Sequence, residues 1–251
     1  MTFSDNDIKT FFTWLTHAPV LDFLVQMKTM GIDRHIPNIS WSTSRFLIET
    51  LEKKWPKNIL EIWPANGFST MMLSLACPDA LITSVECSRH AFEELRHNIS
   101  AFSLLQKGSH TSLSPAALWP KVTSDIFQIQ IDQFSLYYAD ARELLPAFLR
   151  GEKTLHCSNP KSTLADILAQ KFDFIFIDGA FRMTREFFDL SLPLLTKNGL
   201  IILDDAIKYR TKMDWFHEYL AGQWIIYEII QTDDDDGVMV IDFWNNLSTL
   251  S

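Results

Sequence analysis

Ile59-Leu60-Glu61-Ile62-Trp63-Pro64-Ala65-Asn66-Gly67-Phe68-Ser69-Thr70 is the stretch that decides the fold. A short apolar run reads as a buried strand, a Pro/Asn/Gly segment reads as a tight turn, and a helix begins near Ser69. The open N–H groups of a helix start, with Gly67 letting the chain come close, can hold an anionic group such as a carboxylate. The G-x-G-x-x-G fingerprint of nicotinamide-binding turns needs three glycines, and this turn has one, which counts against a dehydrogenase.

Outward from this turn, apolar runs at 58–62, 81–86, 134–139, 172–178 and 200–204 alternate with helical patterns. That alternation is the mark of βαβ units and a parallel sheet. Between the second and third runs, Phe92, Leu95, Ile99 and Phe102 recur at helical spacing. Asn198-Gly199 reads as the turn into the fifth strand, and runs at 224–230 and 238–243 read as an antiparallel hairpin closing the sheet. Residues 1–57 are helical in pattern and rich in aromatics (Phe11, Phe12, Trp14, Phe23), as expected of a helical cap on a 58–251 domain. Segments 103–133 and 151–170 are longer than such a fold needs and have weak periodicity, so they read as insertions, one of them a candidate substrate loop.

With 251 residues, 47% hydrophobic and 21% charged, the chain has the balance of one large α/β domain. No run reaches the roughly 18 apolar residues of a bilayer span, and the first residues are polar and acidic rather than those of a signal peptide. Cys77, Cys87 and Cys157 lack metal-ligand or disulfide-framework spacing, so a reducing, cytoplasmic setting is expected, with no membrane partner. A net charge of −9 argues against broad phosphate neutralisation, so any contact with a nucleic acid must be local. The densest acidic run, 233–236, reads as a solvated turn.

Several acids fall at strand ends, where open α/β sheets place their ligands. Glu86, about 20 residues after the first turn, is placed to accept from two ribose hydroxyls, or else starts a helix. Asp140 could face an adenine amino group, and equally reads as the cap of a helix over 141–149. Asp178 ends the fourth strand and Asp204-Asp205 end the fifth. Three carboxylates brought to one edge repel unless a cation lies between them, and an all-oxygen set suits Mg²⁺, with Mn²⁺ or Ca²⁺ as substitutes. The alternative is one capping acid and two solvated ones. Lys208, Tyr209, Arg210 and Lys212 follow, either as a solvated loop or as a basic, aromatic patch able to meet a phosphate and a base.

As a set, the lead-in Ile36-Pro37, ILEIWPANGFST, TSVE, ADARELLP, FDFIFIDGAF, EFFDLSLPLL, NGLIILDD and DDGVMV resemble the class I S-adenosylmethionine-dependent O-methyltransferases of the catechol and caffeoyl-CoA type. Within that family they look most like the bacterial branch that methylates tRNA 5-hydroxyuridine. The resemblance implies a doubly wound, Rossmann-like sheet of seven strands in the order 3-2-1-4-5-7-6, with helices on both faces. It implies that Glu61, Trp63, Ala65, Gly67 and Ser69 line the methionine end of S-adenosyl-L-methionine, that Glu86 holds the ribose, and that Asp140 and Ala141 lie by the adenine. Asp178, Asp204 and Asp205 would be the metal triad, with Asp178 also beside the cofactor and catalytic; the family usually has Asp-Asn at the last pair. Trp63 stands where the family has glycine, and either crowds the methionine pocket or points into a neighbouring apolar gap. Phe181 stands where a lysine commonly approaches the reacting oxygen, leaving Arg182 as the candidate catalytic cation. The acceptor expected is a tRNA hydroxyuridine or a small catechol-like or enolic hydroxyl. The competing reading is a non-catalytic binding protein of the same fold. The family is often dimeric, so a homodimer is a further expectation.

Overall fold

Alternation within the strands assigns the two faces of the sheet. In β1 (Asn58–Ile62), Ile59 packs into one buried cluster with Ile82, Phe174 and Ile202, while Leu60 and Ile62 pack into the other with Val85, Ile175 and Leu203. A strand apolar on both faces belongs inside a parallel sheet with helices on each side. The computed structural model describes residues 5–108, 127–150, 156–157, 171–179, 181–233 and 235–243.

The strands β1, β2 (Leu81–Glu86), β3 (Phe127–Ile131), β4 (Phe134–Tyr138), β5 (His156–Cys157), β6 (Phe172–Ile177), β7 (Leu195–Leu203), β8 (Glu228–Gln231) and β9 (Gly237–Asp242) form one sheet, in the order β5-β3-β4-β2-β1-β6-β7-β9-β8. The five strands from β4 to β7 in that order are parallel, with Glu61 opposite Ser84 and Phe176, and β9 returns antiparallel to β7. Its seven strands from β4 to β8 follow the expected order, and two more strands extend the β4 edge.

β3 falls in the segment 103–133 and β5 in the segment 151–170, so the described part of each adds a strand beyond the seven. Helix α5 (Arg89–Gln106) runs on through the first residues of 103–133, and Phe127-Gln128-Ile129-Gln130-Ile131 forms a hairpin with β4. The alternation is strict, the turn puts Asp132 at φ 49°, and the Gln130 amide ties it by donating to the Asp132 carbonyl at 2.9 Å and accepting from Ser135 at 2.6 Å. A substrate loop at 109–126 or over most of 151–170 lies outside the described residues. Asn198-Gly199 also differs from expectation. It lies inside β7, where the pairing jumps from Phe172–Leu195 to Phe174–Leu200, so it is an irregularity within the strand.

On one face, α1 (Asp5–Leu15), α2 (Ala18–Asp33) and α3 (Trp41–Lys54) pack with α4 (Phe68–Ala76) and α5. Phe12, Leu24 and Leu47 share a single cluster with the sheet residues. On the other face lie α6 (Ala141–Arg150), α7 (Thr184–Ser191) and α8 (Asp214–Gly222). Among the described residues, no helix is long and apolar enough to cross a membrane.

Candidate active site

The turn after β1 holds three alternate residues in the left-handed region: Trp63 at φ 67°, Ala65 at 49° and Gly67 at 89°. Only glycine adopts this region without steric cost, so the first two must be held in place. The Trp63 amide donates to the Val85 carbonyl at 2.9 Å, and its ring meets Phe187 edge-on at 5.5 Å and lies against Gly179. The Ala65 amide donates to the Glu86 carboxylate at 3.2 Å. Gly67 precedes α4, and the Phe68 amide is capped by the Asn66 side chain at 3.2 Å. That first helical N–H is therefore already partnered and not an open anion site.

Glu86, at the end of β2, has both oxygens on main-chain amides, the second being Ser88 at 2.7 Å. Burial raises its pKa to about 7, against the lowering effect of those amides. Glu61 is fully buried on the α4 face. One oxygen accepts from Thr70 at 2.6 Å and Ser84 at 2.8 Å, while Oε1 is buried with no partner. Burial raises its pKa too, against the hydroxyls that stabilise the charge. A carboxylate with half its acceptor capacity empty in the core costs stability unless a donor arrives.

Two cavities open beside this turn. The smaller, about 270 Å³, is bounded by Ala65, Glu86, Cys87 and Ser88. The larger, about 520 Å³, is bounded by Asp204, Asp205, Lys208, Tyr209 and Phe181. Pro37, Trp63 and Asp178 line both. Trp63 is thus partly in a cavity wall and partly packed on Phe187.

A family model described as a methyltransferase domain matches residues 60–206, which span β1 to the end of β7. The chain belongs to the methyltransferase-domain family. The same fold is seen in an O-methyltransferase from Bacillus cereus solved in complex with SAH, with 18% identity, 94% of this chain and 96% of that one covered, and a TM-score of 0.64. It is seen again in the O-methyltransferase TomG from Streptomyces achromogenes, involved in tomaymycin synthesis and solved in complex with SAM, with 17% identity, 96% and 99% covered, and a TM-score of 0.62.

In this methyltransferase the other candidate residues divide into those at the cavities and those away from them. Asp140 caps α6, accepting from the Arg142 amide at 2.9 Å. It is also paired with the Arg142 side chain at 2.5 Å, which holds its pKa below the usual carboxylate range. Ala141 is buried in α6, and Ser69 is buried in α4, where its hydroxyl helps to stabilise the charge on Glu61. Arg182 is exposed, its guanidinium 5.7 Å from the centre of the Phe181 ring, and lies in neither cavity wall. Asp178, Asp204 and Asp205 all line the larger cavity and interact electrostatically. Burial and then Asp204 push Asp178 well up; burial and then Asp205 push Asp204 to about 7. Asp205 rises to about 6 through burial and Asp236, partly offset by Lys208 at 3.1 Å. Among the described residues, however, no group of three or more His, Cys, Asp or Glu is gathered to hold a metal ion.

Two features escaped the sequence reading. The acidic run is not simply a solvated turn: Asp233, Asp235 and Asp236 line the larger cavity, and Asp236 accepts from the amides of Lys208 and Gly237. Lys28 is a half-buried cation under the cavity's lead-in segment, donating to the Asn38 carbonyl at 2.9 Å and to the Ile39 carbonyl. Burial lowers its pKa to about 8, against the pull of Asp233, Asp204 and Asp178. Its signal was present in α2, where Leu24, Lys28 and Gly31 fall on one helical face and the neighbours are buried.

Proposed function

We propose that this methyltransferase moves the methyl group of S-adenosyl-L-methionine to an acceptor hydroxyl held in the larger cavity. The observation that carries the reading is the unpartnered Oε1 of Glu61, buried near the end of β1 two residues before the strained turn at Trp63. A fixed, buried acceptor with a spare lone pair suits an ammonium donor, and the methionine end of this cofactor has one. Glu86 at the smaller cavity suits a pair of ribose hydroxyls. Asp140 is the weaker part of the cofactor assignment, because Arg142 already holds it.

The cofactor supplies an electrophilic methyl on sulfur, and the chain's own task is placement. Trp63, Pro37 and Asp178 line both cavities, which supports a role for the Asp178 carboxyl group in accepting a hydrogen bond from the acceptor hydroxyl. Holding two reactants in line can contribute several kcal/mol. Mg²⁺, Mn²⁺ or Ca²⁺ would take Asp178, Asp204 and Asp205 and polarise the acceptor oxygen. As the side chains stand, the set does not fit an ion: Asp205 holds Lys208, and three ligands are not gathered. No step is therefore routed through a metal.

For the acceptor, the rim favours a phosphate-bearing ring compound such as a tRNA hydroxyuridine. Phe181 and Tyr209 lie 4.8 Å apart, with the Lys212 ammonium 5.2 and 5.0 Å from their centres. The six aspartates of the wall favour instead a small neutral catechol or enol. Tritium transfer to hypomodified tRNA, run beside a catechol panel, separates the two. The reading as a whole is tested by titrating the protein with S-adenosylmethionine by calorimetry. Saturable binding weakened at least about tenfold, or about 1.4 kcal/mol, by Glu61→Gln is expected. Absence of binding to a folded sample would leave the non-catalytic reading in its place.

A further inference from the structure

The wall of the larger cavity contains six aspartates and one lysine. Lys208 is fixed at two points. Its backbone amide donates to Asp236 at 3.2 Å, and its ammonium donates to Asp205 at 3.1 Å while lying 5.3 Å from the centre of the Tyr209 ring. Asp236 is fixed in turn by the Gly237 amide at 2.7 Å. The backbone of Lys208 is therefore tied to the loop before β9, while its ammonium lies within the loop after β7, against one of the three carboxylates that an ion would need.

We propose that Lys208 is the resident cation of this cavity and competes with divalent metal for Asp205, so that an ion can enter only when the lysine lets go. A dication on Asp205 would face a full positive charge in the same wall, and that repulsion weakens binding until one of the two leaves. With Phe181 bringing no charge and Arg182 outside the wall, Lys208 is also the one cation among the described residues lining this cavity. Its consequence for methyl transfer rests on the reading above; the competition itself does not.

The test uses Mn²⁺ alone, titrated into the full chain and followed by the resonance of the free ion. Lys208→Gln is expected to bind Mn²⁺ at least about tenfold more tightly than the wild type, and Lys208→Arg, which keeps the charge, is expected to bind like the wild type. Adding Asp204→Asn to Lys208→Gln should remove the gain, which places the ion in this cavity and not elsewhere. Equal affinity in the wild type and Lys208→Gln, or no Mn²⁺ binding in either, overturns the proposal. Half of the Lys208 side chain is exposed, so the variants are expected to fold, and circular dichroism checks that they do. S-adenosylmethionine titrated into the same samples keeps the two ideas apart. Its failure to bind would remove the proposed function and leave the Mn²⁺ result standing.

Discussion

Glu86 should make cofactor binding sensitive to pH in the range where enzymes are usually assayed. Burial raises its pKa to about 7, while the amides of Ser88, Ala65 and Cys87 hold it down. Only the carboxylate can accept from two ribose hydroxyls as well as from these amides. The protonated fraction of the free protein then weakens the apparent affinity by a factor of 1 + 10^(7 − pH), which is roughly 1.1 at pH 8, 2 at pH 7 and 11 at pH 6. Between pH 8 and pH 6 the loss is about tenfold, or about 1.4 kcal/mol. The cofactor's own amine titrates near pH 8 and would change affinity in the opposite sense, so the measurement is a difference. Calorimetric Kd values are taken at pH 6, 7 and 8 for the wild type and for Glu86→Gln, which keeps the shape and cannot ionise. The variant should bind more weakly at pH 8, and the ratio between the two proteins should close by about tenfold on going to pH 6. Parallel profiles would refute the reasoning, because they would mean that the charge on Glu86 does not contribute to binding.

Gly67→Ala should destabilise the protein by about 1–2 kcal/mol, because φ is +89° and the new Cβ would lie 2.8 Å from Leu95 Cδ1. A thermal melt would show a drop of several degrees, and an unchanged midpoint would contradict the assigned turn. Lys28→Met should alter the pH dependence of stability. With a folded pKa lowered to about 8 from 10.5, the wild type binds fewer protons folded than unfolded between those values, so its stability rises with pH across that window and the penalty is complete below pH 8. Urea unfolding at pH 8 and pH 9.5 should show the wild type gaining about 1.5 kcal/mol relative to Lys28→Met, and no relative gain would mean that Lys28 is well solvated.

The parallel core and the turn after β1 were legible in the sequence because local chemistry sets them. Runs apolar on both faces can only be interior strands, and Pro64, Asn66 and Gly67 punctuate a strand and a helix. The β3–β4 hairpin was present as period-two alternation, but its glutamines hid it within a stretch judged by polar composition. At the site, the sequence placed Glu86, Asp140, Asp178, Asp204 and Asp205 at strand ends, and the resemblance added Glu61 within β1. The sequence could not say which neighbours meet them. Lys28 lies under the lead-in segment because α2 crosses it, and Asp236 reaches Lys208 because β9 returns beside β7. Both are consequences of packing between segments far apart in the chain.

The position of Trp63 shows why the substitution of a bulky residue at this turn need not close the pocket. A left-handed backbone at a non-glycine residue costs about 1 kcal/mol or more and persists only where its surroundings enforce it. Here the Val85 carbonyl fixes the backbone amide and Phe187 takes the ring edge, so the indole is drawn toward the α7 side and leaves the 270 Å³ cavity open. Ala65 bears the same kind of strain two residues later, and its amide is held by Glu86, the acid assigned to the ribose. The strained turn and the candidate cofactor wall therefore share their supports. The Trp63 ring also lines both cavities, together with Pro37 and Asp178. The indole therefore takes up packing space on the α7 side and still leaves both cavities open.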